Sequence, residues 1–272
     1  MKILTWNLDF WKKMVFSNLE NKETWKNHAK EIIKSDYDFI CLQEINPYYL
    51  FQIDYDNKDG PIDEFNIWGK NVHYHELYSV LKKEVQKKNI VYWGTSIIAK
   101  NKYRLVKKHF YSNGNYIGSE YYGHETLMCY NFETDDNRKI TIINYYKKGI
   151  PEETNYDLKF AYEESFFKNI QEVFEEVNNN NIIIFAGDFN AGIDVRKKIM
   201  NIGFIDKTIG IANTMVELPN VMPFPNDRIF VNEKYTKAID ASTVKKVSLG
   251  MNSEELYTSV SDHFGIECFI NL

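Results

Sequence analysis

Ile182-Ile183-Ile184-Phe185-Ala186-Gly187-Asp188-Phe189-Asn190 decides how this chain is read. Its four leading apolar residues predict a buried strand. The strand ends by presenting a carboxylate and a carboxamide. Asp188 and Asn190 sit two apart, which in an extended segment points both side chains the same way. Gly187 leaves room for backbone or ligand to approach closely. Such a strand tip suits a metal-activated water or a phosphate. Three other strand-end segments carry similar groups: Trp6-Asn7-Leu8-Asp9, Leu42-Gln43-Glu44 and Ser261-Asp262-His263.

Working outward, strands and helices alternate. Ile3 to Leu8 reads as a strand, Thr24 to Lys34 as a helix with Trp25, His28, Ala29, Ile32 and Ile33 at helical spacing, and Asp38 to Gln43 as a short buried strand. Helical spacing returns over Glu76 to Lys88. Val91 to Lys100 is expected to be a strand with Tyr103 to Tyr111 paired beside it. Thr126 to Phe132 and Lys139 to Tyr145 flank a hairpin turn at Asp135-Asp136-Asn137. Asp157 to Val177 is the longest predicted helix and Asn178 to Asn181 ends it. Arg228 to Val231, Ala241 to Leu249 and Gly265 to Ile270 complete a strand-rich end. Residues 46–75 lack periodicity and read as a rim loop over a site. With no linker and no repeat, residues 1–272 read as one domain.

Composition sets limits on this reading. A hydrophobic content of 44% and an aromatic content of 15% belong to a folded globule, not a disordered chain. No apolar stretch is long enough for a membrane span, and the N-terminus turns polar too early for a signal peptide. Cys41, Cys129 and Cys268 lie far apart in apolar segments, which points to buried thiols in a reducing, cytoplasmic setting. The net charge of −5 does not advertise nucleic-acid binding, although an acidic site that needs a cation lowers the total without excluding a phosphate substrate. Only four arginines occur, few for a duplex-DNA clamp.

Taken singly, the polar strand ends are ambiguous. Glu44 reads as a hard-cation ligand, and taken alone more readily as a capping or salt-bridging surface glutamate. Asn7 and Asp9 repeat the spacing of Asp188 and Asn190, but turn residues do the same. Asp262-His263 places an acid beside a base, with Asp227 at the start of another strand; a carboxylate on one ring nitrogen leaves the other for water or phosphate. His28, at a helical position between apolar neighbours, reads as structural.

In chain order the segments run Trp6-Asn7-Leu8-Asp9, Leu42-Gln43-Glu44, Trp93-Gly94-Thr95-Ser96, Ile143-Asn144-Tyr145-Tyr146, Gly187-Asp188-Phe189-Asn190, Asp227-Arg228-Ile229-Phe230 and Ser261-Asp262-His263. This constellation resembles the endonuclease/exonuclease/phosphatase superfamily of metal-dependent phosphohydrolases. The resemblance implies an α/β four-layer sandwich of two mixed β-sheets flanked by helices. It also implies Mg²⁺ or Mn²⁺ held by Glu44, with Asn7, Asp9 and Asp262 near the metal. Asp188 then orients or deprotonates the attacking water, Asn190 holds phosphate or water, and His263 contacts the scissile phosphate with Asp227 orienting it. Tyr146 donates to a phosphate oxygen, with Lys147 and Lys148 beside the bound phosphate. The function implied is divalent-metal-dependent hydrolysis of phosphoesters by a monomer, as a nuclease or phosphodiesterase on DNA, RNA or another phosphate-containing substrate. An inositol-phosphate or phospholipid phosphatase is the alternative within that class. A non-catalytic ligand-binding protein on the same scaffold is the alternative outside it.

Overall fold

The computed structural model describes residues 1–8, 27–28, 30–32, 34–45, 64–67, 70–73, 94–100, 102–117, 120–147, 168, 170–173, 181–190, 193–211, 214, 226–238, 244–253, 256, 261 and 263–270. In chain order the strands are β1 (Lys2–Asn7), β2 (Phe39–Ile45), β3 (Glu64–Ile67), β4 (Lys70–His73), β5 (Gly94–Ala99), β6 (Arg104–Ile117) and β7 (Glu120–Glu133). They continue with β8 (Lys139–Lys147), β9 (Ile182–Asp188), β10 (Phe204–Asp206), β11 (Asp227–Asn232), β12 (Lys245–Val247) and β13 (Gly265–Phe269). Two mixed sheets form, in the orders β12-β13-β1-β2-β5 and β10-β11-β9-β8-β7-β6.

Each sheet has one parallel pair, β1 with β2 and β8 with β9, and antiparallel strands on either side. The C-terminal ends of a parallel pair lie on the same edge of their sheet. An antiparallel neighbour brings its N-terminal end to that edge. So β1, β2, β8 and β9 finish where β11 and β13 begin. This places the polar strand ends of the sequence together.

Side-chain alternation builds the core. Ile140 and Ile142 of β8 and Ile182, Ile184 and Ala186 of β9 pack in one cluster with Ile3, Phe39, Cys41, Ile97 and Ala99 of the other sheet. The intervening Ile143, Tyr145, Ile183 and Phe185 pack on the opposite face with Ile170, Val173 and Ile199 from helical segments. β9 is therefore buried on both faces, which explains its unbroken apolar run. Burying each such side chain contributes roughly 1.5–3 kcal/mol. All three cysteines are buried and none is in a disulfide, and burial pushes the Cys268 thiol up to about 12. His28 is fully buried with its ring edge-on to Trp6 at 4.6 Å, and burial pushes it down to about 3. Among the described residues no helix is long and apolar enough to cross a membrane.

A buried polar tie joins the sheets beneath the shared edge. Gln43 Nε2 donates to Asn144 Oδ1 at 2.6 Å, and Asn144 Nδ2 donates to the carbonyls of Leu42 (3.0 Å) and Ser96 (2.8 Å). Asn144 is fully buried. Asn144→Leu keeps the volume but takes the amide donor from the buried Leu42 and Ser96 carbonyls, each costing ~1–3 kcal/mol, while Gln43 Nε2 keeps Thr5 Oγ1 (3.1 Å) and Cys41 O (3.2 Å). Chemical denaturation is expected to show a loss of about 2 kcal/mol or more; a loss below about 1 kcal/mol would mean that water replaces the amide.

Several sequence expectations are corrected. Tyr103 to Tyr111 does not pair beside the Val91–Lys100 segment. A turn closed by Tyr103 N–H to Lys100 O (3.0 Å) sends the chain to the other sheet, where β6 pairs with β7. Residues 46–75, expected to be a loop, contain the β3–β4 hairpin. Within the expected Ala241–Leu249 strand, Lys245–Val247 is strand, Val244, Ser248 and Leu249 are not, and residues 241–243 lie outside the described residues. The helix Ile193–Asn201 and strand β10 had no expectation. The helical spacing over Glu76–Lys88 lies outside the described residues.

Candidate active site

At the shared edge, side chains from the two sheets meet in hydrogen-bonded pairs. Asn7 ends β1 and is 2% exposed. Its Nδ2 donates to Asp188 Oδ2 at 2.8 Å and to Glu44 Oε1 at 3.3 Å. Two carboxylates around one amide NH₂ also settle which way that amide points, since only its nitrogen can serve both. Tyr146, from β8, donates its phenol proton to the same Glu44 Oε1 at 2.6 Å.

Glu44 does not simply follow its strand. The pairing of β2 with β5 shifts between Leu42 and Ile45, and Glu44 adopts φ +48°. An irregularity of this kind re-aims one side chain of a strand, and left-handed backbone at a non-glycine residue is tolerated where surrounding contacts hold it. The contacts from Asn7 and Tyr146 act on this carboxylate.

Asp188 closes β9 and is fully buried. Asn190 N–H donates to its Oδ1 at 3.0 Å and Asn190 Nδ2 to its Oδ2 at 2.7 Å. The two residues converge through a turn, not through strand alternation. Asn190 has φ +36°, and the Asp188 side chain caps the backbone two residues on. Asn226 Nδ2 donates onward to Asn190 Oδ1 at 3.3 Å. The room left by Gly187 is filled by backbone: a Cβ there would lie 1.8 Å from Tyr145 O.

Asp227 begins β11 directly opposite Asp188 and is also fully buried. Its Oδ2 lies 2.7 Å from His263 Nδ1. His263 is 4% exposed and is held from three sides. Its N–H donates to Ser261 Oγ at 2.9 Å, Ser261 Oγ donates to Asn7 O at 2.5 Å, and Trp6 Nε1 donates to His263 O at 2.8 Å. With Nδ1–H on a carboxylate, Nε2 is the ring nitrogen that carries the lone pair.

Electrostatically the centre is an acid under tension. Three donors favour ionised Asp188. Burial opposes them, followed by the charge of Asp227 across the strand pair, while His263 and Asn7 help the charge. The net result is a carboxyl pushed up to about 7 from an ordinary 3.8, where it exchanges a proton near neutrality. A folded-state value above the unfolded one means that this group's stabilisation is present below about pH 4 and is lost as pH rises through about 7. A cation reverses that penalty. The rise in melting temperature produced by Mg²⁺ is therefore expected to be larger at pH 8 than at pH 5.5. In Asp188→Asn that pH dependence is expected to shrink. An increment independent of pH in the wild-type protein would refute the linkage.

The donors fit a hard divalent ion. Glu44 and Asp188 are buried oxygen donors on one amide, and Mg²⁺ is commonly bound through one or two carboxylates with water and substrate phosphate completing its shell. Among the described residues no three His, Cys, Asp or Glu side chains converge on one point. Asp9, Asp262 and Lys148 lie outside the described residues. Lys147 ends β8 opposite Glu125, and its side chain is not described. Asn7, Glu44, Tyr146, Asp188, Asn190, Asp227 and His263 are brought together. Sequence reading assigned no role to Ser261, Asn226 or Thr214. Ser261 stood inside a quoted motif, whereas nothing around Thr214 marked it.

No protein-family model matches this chain, and no curated protein matches it. Solved structures do. An endonuclease/exonuclease/phosphatase family protein from Leptotrichia buccalis superposes with TM-score 0.61 at 18% identity, covering 100% of both chains. D. rerio TDP2 complexed with single strand DNA product gives 0.61 at 16% identity, covering 100% of this chain and 99% of that one. The human Nocturnin catalytic domain with bound sulfate anion gives 0.61 at 15% identity, covering 98% and 93%. Two face-to-face mixed sheets, joined along the edge where their parallel strands end, and these superpositions establish that the chain has the endonuclease/exonuclease/phosphatase fold.

Proposed function

We propose that the protein is a divalent-metal-dependent phosphoester hydrolase, acting as a phosphodiesterase or nuclease by in-line attack of water. The observation that carries this reading is the row of buried inter-sheet pairs, Tyr146–Glu44, Asn7–Asp188 and His263–Asp227, on one edge of the fold. Phosphoryl transfer asks a protein for positioning and charge compensation more than for covalent chemistry. Asp188, poised near neutrality, takes the proton of the attacking water while Asn190 holds that water or the phosphate. His263, with Nδ1 on Asp227, offers Nε2 to the scissile phosphate. Mg²⁺ or Mn²⁺ would be held by Glu44, with Asn7, Asp9 and Asp262 as the nearby residues. When bound, the ion supplies positive charge against that developing on the phosphoryl oxygens.

The substrate is inferred from who is left to bind it. All four arginines are engaged by carboxylates: Arg104 by Glu133, Arg138 by Asp136, and both Arg196 and Arg228 by the fully buried Asp206. Arg196 and Arg228 are tied to a buried acid and the exposed pairs of Arg104 and Arg138 are only weakly held, so with four arginines in all the phosphate contacts fall mainly to lysines, His263 and amide groups. This favours a single-stranded or small phosphodiester, in keeping with the single strand DNA product and the sulfate carried by two proteins of the same fold. The test is a panel of single-stranded DNA and RNA, an abasic duplex and phosphoinositides with Mg²⁺ or Mn²⁺. Expected is EDTA-sensitive cleavage of a single-stranded or small phosphodiester. Preferential release of phosphate from phosphoinositides would instead assign a phosphatase. Tight binding without turnover of any member would assign a binding protein.

A further inference from the structure

Thr214 lies outside every strand and is fully buried beside the histidine–aspartate pair. Its hydroxyl donates to Asp227 Oδ2 at 2.6 Å, the same oxygen that lies 2.7 Å from His263 Nδ1. Asp227 N–H points back to Thr214 Oγ1 at 3.4 Å, which leaves the hydroxyl proton for the carboxylate. The carbonyl of Thr214 accepts from Phe264 N–H at 2.7 Å, one residue past His263. Thr214 therefore holds the acid through its side chain and the histidine's segment through its backbone. Asp227 Oδ1 is buried with no hydrogen-bond partner among the described residues, so Oδ2 carries the hydrogen bonding of this carboxylate.

We propose that Thr214 is a positioning residue that keeps Asp227 an acceptor and His263 in the Nδ1–H form, with Nε2 facing the substrate. The proposal rests on the phosphoester-hydrolase reading for its kinetic consequence only. Physically, an ionised buried carboxylate must be compensated by donors. Without the hydroxyl, the imidazole N–H is the sole donor left on Oδ2 among the described residues. The carboxylate is then oriented by one bond instead of two, and when its Oδ2 turns from Nδ1 the tautomer with Nδ1 bare gains population.

Thr214→Val is nearly isosteric and deletes only the hydroxyl function; Thr214→Ser restores it. With whichever substrate the panel identifies, the valine variant is expected to lower kcat about tenfold to a hundredfold, the range for losing an outer partner of a site histidine. KM is expected to stay within about twofold and the serine variant to recover most of the rate. ¹⁵N shifts of the His263 imidazole at fixed pH are expected to move from a single Nδ1–H tautomer toward a mixture in the valine variant and to return with serine. Wild-type ¹⁵N shifts in Thr214→Val overturn the proposal. So does a rate loss that serine does not recover, since that marks packing alone. If the wild-type protein hydrolyses no phosphoester, the functional reading fails, and the imidazole shifts alone decide Thr214: a tautomer change supports the role and its absence overturns it.

Discussion

Glu44→Gln is expected to abolish divalent-dependent hydrolysis, with a rate loss on the order of a hundredfold to a thousandfold, comparable to removing a principal transition-state contact. Glutamine keeps the length of the side chain, and its carbonyl oxygen can still accept from Tyr146 and Asn7 as Glu44 Oε1 does. What is lost is one negative charge among buried acids. The metal-free variant is therefore expected to melt no lower than the wild-type protein, because a carboxylate near Asp188 has been neutralised. The stabilisation by Mg²⁺ is expected to vanish; for an intact site this is about 2.7 kcal/mol at a concentration ~100-fold above Kd. Calorimetry with and without Mg²⁺ and a hydrolysis assay measure the two effects separately. Full activity with an unchanged Mg²⁺ response would remove Glu44 from the site and the metal reading with it.

Among the described glycines, Gly187→Ala is expected to be the most damaging added methyl. Gly187 has φ +148°, which L residues rarely adopt, and it pairs with Tyr145 at the centre of the second sheet. The added Cβ would stand 1.8 Å from Tyr145 O and 2.7 Å from its carbonyl carbon. Backbone cannot swing aside as a side-chain tip can, so β8 and β9 must separate just below Asp188. A cost of about 4 kcal/mol or more is expected, at the diagnostic end of point-mutation effects. At ~2–4 °C per kcal/mol for a chain near this size, the melting temperature should drop by roughly 10 °C. Activity should fall further than stability alone explains, since Asp188 shifts with its strand. A variant melting within about 2 °C of wild type would show that the parallel pair spreads at little cost.

Much of this was legible in the residues. The β9 strand could be read because both of its faces are buried, so every residue had to be apolar until the polar tip. The β7–β8 hairpin was legible for a local reason as well, its turn residues lying between two alternating runs. Misreadings came where the deciding contact was distant. Tyr103–Tyr111 looked like a partner for the strand before it because sequential strands usually pair. Here a short turn carries it to the other sheet, and no local pattern distinguishes the two outcomes. Asn190 was placed by strand alternation, yet the chain leaves the strand at Asp188 and turns back, so the same convergence arises by another geometry.

By itself, the sequence determined which segments are buried strands and which of them end in groups able to handle a phosphate, because burial and polarity are written residue by residue. Tertiary structure alone decided the pairings. Asn7 meets Asp188 across 181 positions, Glu44 meets Tyr146 across 102, and His263 meets Asp227 across 36. It also decided that Thr214, in a segment with no pattern, supplies a donor to Asp227. The physical reason is that each of these bonds crosses from one sheet to the other or enters from a loop. Such a bond depends on strand order and on how the two sheets face each other, and a periodicity of two along a single strand carries no information about either.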